Sequence, residues 1–378
     1  MPQTFKKLAD VAAKDLRGKR VLLRLDLNVP IVGEEVRDDF RIKRSLPTLQ
    51  FLREAGAKTI VISHLESDTT DSLSLIAEYI GKKMPIQGFV SDYSKAPAAI
   101  SSMKDGDIII LENLRRDAGE KANDAAFAAR LASFGDIYVN DAFAVSHRAH
   151  ASIVGVTKLL PSYAGLLLAT EIEELSKAFN PEHPFVFLLG GAKFDTKLPL
   201  IEKFLGIADS VFVGGALAND IFKEKGYEVG ASLVSKVPVD LKSIAANPKL
   251  IVASDVAVMG AKGKAIKAAN AALPGERILD TGPQTIAQLA VLLKEAKFVL
   301  WNGPVGDYEK DGFAQGTEDL ARAVVASGAQ TVLGGGDSIA VIANIGLLDK
   351  FSFVSTGGGA MLEFLAKGTL PGIEALKA

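Results

Sequence analysis

In the run RVLLRLDLNVP, Arg24, Asp26 and Asn28 fall at alternate positions, so an extended chain turns all three to one face. A solvent-facing edge strand would give the same spacing. Arg41 follows in RDDFRI, His64 closes KTIVISH, Arg115 closes LENLR, and Arg148 lies in SHRAH. A guanidinium is a rigid fork of donors matched to carboxylate and phosphate. Four arginines and a histidine placed after successive strands of one parallel sheet would converge on one edge. The chemistry that suits such a cluster is the binding of a small polyanion.

The second half carries a different apparatus. GGAKFDTK sets Lys193 and Lys197 four residues apart, beyond a glycine pair that ends in Gly191, and therefore on one face of a helix starting there. Backbone amides and two point charges at such a junction would cradle a phosphate, although a plain helix start with surface lysines fits the same letters. Gly215 ends another apolar run, DSVFVGG. GGGDS and STGGGA stack three glycines each, among them Gly336, Gly357, Gly358 and Gly359. Triplets of this kind have little packing value and favour close approach of main chain to a ligand. Asp337, followed by Ser338, is the natural anchor for Mg²⁺, which usually takes one or two protein carboxylates plus phosphate oxygens. Asn302 and Glu309 in WNGPVGDYE could bond a base or a ribose.

These residues need a scaffold that lines up strand ends. Short Val/Ile/Leu-rich runs at Arg20 to Val29, Lys58 to His64, Asp107 to Asn113 and Asp136 to Phe143 alternate with helical patterns, and six further runs repeat the rhythm from Pro184 to Gly359. Such alternation predicts βαβ units with strands buried on both faces. The fold class is therefore α/β, with parallel sheets flanked by helices. TEIEELSKAFN, with a Thr start, early acids and a following Pro181, predicts a helix joining two lobes. The expected divisions are a first lobe over 1–168, a linking helix over 169–182, a second lobe over 183–365 and a final segment over 366–378.

Composition removes several function classes. With 43 Lys+Arg against 45 Asp+Glu, the chain has no basic excess for nucleic acid. Zero cysteines exclude disulfides, thiolate catalysis and cysteine-based metal sites. No long apolar stretch or signal-like start is present, so a cytoplasmic protein without a membrane association is expected. There is no P-loop, no GxGxxG and no HExxH, and the His147/His150 pair lacks acids at ligand spacing. The missing dinucleotide fingerprint disfavours a dehydrogenase, and the glycine triplets disfavour a scaffold. Of 13 arginines, 11 precede Leu168, whereas 25 of 35 glycines follow it. One half is equipped to hold an anion with side chains and the other with main chain.

NDAFAVSHRAHAS, LLGGAK, WNGPVG, TVLGGGDS and STGGGAMLEFL, in this order along nearly the whole chain, resemble the phosphoglycerate kinase family. The resemblance implies two Rossmann-like lobes joined by a hinge helix, with the last residues returning to the first lobe. It implies reversible phosphoryl transfer from 1,3-bisphosphoglycerate to ADP with Mg²⁺, in a protein expected to be a monomer. Position by position, Arg24, Asp26, Asn28, Arg41, His64, Arg115 and Arg148 would bind phosphoglycerate. Gly191, Lys193, Lys197, Gly215, Asn302, Glu309, Gly336, Asp337 and Ser338 would bind nucleotide, Asp337 on the metal side. Arg41, Lys197 and the Gly357, Gly358 and Gly359 amides would face the transferred group, without any general base, because the attacking oxygen is already anionic.

The chain departs from the family in places that bear on affinity and rate. His64 is followed by Leu65, Glu66, Ser67 and Asp68 where the family usually has Leu-Gly-Arg-Pro, so one arginine is missing and acids stand nearby. Phe194, Asp195 and Thr196 precede Lys197 where Val-Ser-Asp is usual. Val252 to Thr281 lacks the Trp-Met stretch, and Ala144 and Ser338 replace Gly and Thr. The altered loop after His64 leaves a catalytically weakened homologue that only binds the metabolite or nucleotide as the alternative.

Overall fold

The computed structural model describes residues 5–67, 70–192, 194–236 and 240–377. Lys193 and Asp68 lie outside them, as does the side chain of Asp195. Two compact units emerge: Met1–Glu173 together with Lys367–Ala378, and Glu174–Ala366.

The first unit is built on six strands: β1 (Arg20–Arg24), β2 (Lys58–Ile62), β3 (Gly88–Val90), β4 (Ile108–Leu111), β5 (Ile137–Asn140) and β6 (Ser162–Ala164). They lie in the order β3-β4-β2-β1-β5-β6, and every pairing is parallel. Side chains leave β1 alternately. Val21 and Leu23 enter one core with Ile42, Leu49 and Leu52 of helix α1 (Phe40–Glu54), while Leu22 enters another with Phe127 and Leu131. Both faces are thus covered, which is why these strands read as unbroken apolar runs. The ladder of β1 ends at Arg24, earlier than the run to Val29 suggests, yet Leu25, Leu27 and Val29 still pack in the Val21 core. The alternation therefore outlasts the strand, leaving Arg24, Asp26 and Asn28 on the opposite side.

Helix α2 (Leu166–Ser176) carries the chain across the unit boundary and ends in a 3₁₀ turn, Lys177–Phe179. It starts four residues before Thr170, which is no cap. Its Oγ1 instead donates to the Leu166 carbonyl one turn back, at 2.8 Å. The helix start is held by Asp141, whose Oδ1 accepts from the Leu168 amide at 3.0 Å. Asp141 is wholly buried, which pushes its carboxyl up to about 7.

The second unit contains β7 (Phe185–Leu189), β8 (Ser210–Val213), β9 (Leu250–Val252), β10 (Phe298–Asn302), β11 (Gln330–Gly334) and β12 (Phe353–Val354). All pair in parallel in the order β9-β8-β7-β10-β11-β12. Numbered from the unit's first strand this is 3-2-1-4-5-6, the dinucleotide-fold order, whose reversal between β7 and β10 opens a crevice at the strands' carboxyl ends. Helices α3 (Phe194–Ile207), α4 (Gly336–Asn344) and α5 (Gly359–Lys367) begin at those ends. A three-stranded antiparallel sheet, Asp255–Gly260, Gly263–Ala268 and Arg277–Thr281, is an addition the apolar runs do not announce. The closing residues belong to the first unit, where the Gly372 amide donates to the Ser146 carbonyl at 2.8 Å. Among the described residues no helix is long and apolar enough to cross a membrane.

Candidate functional site

Register explains the first cluster. Arg24 pairs with Ile62 on one side and Asn140 on the other, so the residues just beyond all three strands share one edge. His64 follows Ile62 by two places, and its Nδ1 lies 3.9 Å from Asp26 Oδ1 and 3.2 Å from Arg24 Nη2. Arg24 is completely buried, with Nε donating to Ser152 Oγ at 2.9 Å and Nη1 to the Leu25 carbonyl. Asp26 forms an ion pair with Arg41, whose Nη1 stands 3.2 Å from Asp26 Oδ2 and donates to the Asn28 carbonyl at 2.8 Å. Arg41 comes from the first turn of α1, which aims it back at this edge.

Arg115 belongs to a 3₁₀ turn after β4 and Arg148 to a turn after β5. Their charges reach the same place. Burial drives the His64 pKa well below its ordinary 6.5, and Arg24, Arg115, Arg148 and Arg41 each push it further down. The four guanidinium groups and the histidine expected to converge are therefore brought together. Among the described residues Asp26, the partly exposed Glu66 and the buried Glu120 offset these cations in part, and the four guanidinium groups still make an electrostatic field suited to a multiply charged anion.

The sequence reading missed Asn113, although LENLR contains it. Its Oδ1 accepts from the Leu65 and Arg115 amides at 3.2 and 2.9 Å, and Nδ2 donates to the Leu65 and Asp71 carbonyls. One buried amide side chain thus clips the loop after His64 to the turn that carries Arg115. Arg148 Nε stands 3.4 Å from His147 Nε2, and among the described residues there is no cluster of three or more His, Cys, Asp or Glu placed to hold a metal ion.

In the second unit an open cavity of about 790 Å³, solvent included, lies at the crevice between β7 and β10. Gly191, Gly215, Glu309 and Asp337 line it, as expected of a ligand-facing set, joined by Ala216, Leu233, Ile278, Leu279 and Tyr308 as apolar and aromatic walls. Those walls come partly from the antiparallel strand Arg277–Thr281, which no motif advertised. Asn302 is not among the lining residues. It is the buried last residue of β10, in register with Gly334 of β11, its Nδ2 3.7 Å from Met361 Sδ.

Lys197 is buried, with Nζ donating to the Gly190 carbonyl. Desolvation lowers its pKa to about 8 against the raising effect of Asp337. Asp337 is exposed on the first turn of α4 and accepts from the Tyr308 hydroxyl at 3.2 Å. Beside it Ser338 Oγ is buried with no hydrogen-bond partner among the described residues.

The glycines divide into two kinds. A Cβ on Gly190 would stand 2.1 Å from the Pro304 oxygen, one on Gly303 2.3 Å from the Gly190 oxygen, and one on Gly334 2.0 Å from Met361 Sδ. These residues are bare because protein packs against them. Gly336, Gly358 and Gly359 have nothing within 4 Å of the Cβ position, so there the free approach is from outside. Gly357 cannot offer its amide freely, since it donates to Ser355 Oγ at 3.0 Å. The amides of Gly358 and Gly359 enter α5 before its hydrogen-bond ladder begins.

A family model described as phosphoglycerate kinase matches residues 9–368. The phosphoglycerate kinase of Rubrobacter xylanophilus is 43% identical over 381 residues, covering 96% of each chain. That of Moorella thermoacetica is 42% identical, covering 98% of this chain and 99% of its own. Among solved structures, phosphoglycerate kinase from Coxiella burnetii superposes with a TM-score of 0.86 at 36% identity, covering 99% of both chains. The Pyrococcus horikoshii enzyme gives 0.86 at 32% identity, covering 98% of both.

Proposed function

The chain belongs to the phosphoglycerate kinase family, and from that premise we propose how its own residues divide the work. The reaction is reversible transfer of a phosphoryl group between 1,3-bisphosphoglycerate and ADP, giving 3-phosphoglycerate and ATP. The weakened binding homologue has no observation in its favour.

Arg24, Asp26, Asn28, Arg41, His64, Arg115 and Arg148 hold the phosphoglycerate. The observation that carries this is the geometry at the end of β1, where His64 Nδ1 lies 3.2 Å from Arg24 Nη2 and 3.9 Å from Asp26 Oδ1, and Arg41 Nη1 lies 3.2 Å from Asp26 Oδ2. His64, kept neutral, serves as a polar contact and a spacer among cations. The nucleotide occupies the cavity lined by Gly191, Gly215, Tyr308 and Glu309, with its phosphates toward Lys197 and the start of α4 at Gly336 and Ser338. Asn302 supports that wall from behind. Lys193 belongs to the same family motif.

The exposed Asp337 carboxylate, on a glycine-lined cavity that also carries Asp307 and Glu309, suits Mg²⁺, which takes most of its ligands from phosphate oxygens and water. Asp337 would hold it, and when bound it would neutralise phosphate charge. Lys197 has two N–H donors left after its bond to Gly190. In a dry setting each is worth more against an oxyanion than in water. Arg41 approaches from the acceptor side, and the Gly358 and Gly359 amides complete the donors, so the chain aligns and neutralises and has no proton to move. Acceptor and donor residues belong to different units, Met1–Glu173 with Lys367–Ala378 and Glu174–Ala366. We further infer a cytoplasmic monomer, as for a soluble metabolic enzyme acting on small anions.

The purified chain, mixed with 3-phosphoglycerate and MgATP and coupled to reduction of the acyl phosphate product, should oxidise NADH at a rate proportional to enzyme. No turnover over a range of substrate and Mg²⁺ concentrations would reject the assignment.

A further inference from the structure

Glu66, the residue two places beyond His64, forms an ion pair through Oε1 with Arg115 Nη1. Lys121 Nζ stands 3.6 Å from the same oxygen. The two partners differ in setting: the Arg115 side chain is 7% exposed, that of Glu66 47%. Behind the pair, Arg115 Nε and Nη2 are buried without a hydrogen-bond partner among the described residues. Burial also lowers the Arg115 pKa, and Arg148 and Arg24 add to the effect against the opposing pull of Glu66. A buried guanidinium with two orphaned donors is an incomplete anion site, since unmade bonds of a charged group are costly. The carboxylate that covers it is free to swing into water.

The backbone fixes Glu66 at this place. Its amide donates to Asn28 Oδ1 at 2.9 Å, and Asn113 clips the neighbouring Leu65 to the Arg115 turn. Lys121 gives the carboxylate a second cation on the solvent side, so it has somewhere to go when displaced.

We propose that Glu66 is an internal competitor for the Arg115 anion subsite, occupying it until the phosphate of phosphoglycerate displaces it. The proposal rests on the assignment of Arg115 to the phosphoglycerate pocket. A dianionic phosphate with three acceptor oxygens can satisfy the orphaned donors, which one carboxylate oxygen does not. Weaker anions meet a subsite already filled. Glu66 therefore raises the KM for phosphoglycerate and weakens the binding of any other anion at this subsite, sulfate included.

The test is steady-state kinetics of Glu66→Gln, Glu66→Asp and Arg115→Ala. Half-exposed ion pairs are modest, so Glu66→Gln should lower the KM for 3-phosphoglycerate about two- to fivefold and strengthen sulfate inhibition, with the KM for ATP unchanged. Glu66→Asp keeps the charge but shortens the reach to Arg115, and it should lower the same KM. A drop with Gln but not with Asp would mean distant charge repulsion rather than occupancy, and would overturn the proposal, as would no drop with either. If Arg115→Ala leaves the KM for 3-phosphoglycerate unchanged, the pocket assignment itself fails. If it raises that KM while both Glu66 variants are silent, only the competitor role fails.

Discussion

Arg24 Nη2 stands 3.2 Å from His64 Nδ1, and both side chains are buried. A guanidinium has only donors, so Nδ1 must present its lone pair and the ring carries its one proton on Nε2. The neutral tautomer follows from geometry, in the same direction as the lowered pKa.

That relationship has a measurable consequence. In the native state the His64 ring should show no NMR titration as pH falls through 6.5. The unfolded chain does take up a proton there, so the linked stability is present above about 6.5 and declines as pH drops below it. A native-state midpoint near 6.5 would contradict the arrangement.

Arg41 is held by Asp26 and the Asn28 carbonyl yet is one-third exposed. Removing it costs little packing. Arg41→Ala should retain the native circular dichroism while lowering kcat on the order of 10²-fold or more, as for other groups that stabilise developing charge. A variant that keeps most of its kcat has lost nothing from the transition state, and Arg41 would then have another role.

Lys197 gives a pH dependence of opposite sense for activity and stability. Its pKa of about 8 in the free protein means that charge is lost as pH rises through 8. The profile of kcat/KM for ATP should therefore fall above about pH 8, whereas kcat, measured with phosphates in place as counter-charge, should hold to higher pH. The unfolded chain keeps this proton up to about 10.5, so between the two values folding becomes more favourable with rising pH. Lys197→Ala should abolish the alkaline limb and weaken both ADP binding and turnover.

The two kinds of glycine can be separated by one methyl group. Gly190→Ala places a Cβ against the Pro304 carbonyl and should lower the melting temperature or prevent folding. Gly336→Ala meets nothing within 4 Å, and alanine suits a helix start, so the melting temperature should hold or rise. A raised KM for ATP in that second variant would report phosphate approach to the α4 amides. An unchanged KM would place the phosphates elsewhere.

The strands of both sheets were legible because burial on two faces writes itself as continuous Val, Ile and Leu. The edge strands Gly88–Val90 and Ser162–Ala164 were not, being short and only partly buried. Arg24, Arg41, Arg115 and Arg148 could be expected at one edge because parallel βαβ units put the carboxyl ends of all strands on the same side, whereas the strand order and register that set their neighbours were not legible. Spacing could not reveal that Glu66 covers Arg115, since that contact joins loops 49 residues apart. Nor could glycine content distinguish Gly190, packed on its own backbone, from Gly336, open to a visitor. The helix after Gly165 was expected to begin at Thr170, a capping residue type. Its true anchor, Asp141, lies 27 residues upstream of the amide it accepts from.

The return of Lys367–Ala378 to the first unit has a bearing on biosynthesis. A ribosome completes every residue of the second unit before it releases the piece that the first still lacks, including the Gly372 amide that meets Ser146. The portion made earliest is therefore finished last. Assembly order in the cell need not follow the order of translation, and a nascent chain halted before Lys367 would expose an unsealed edge to chaperones.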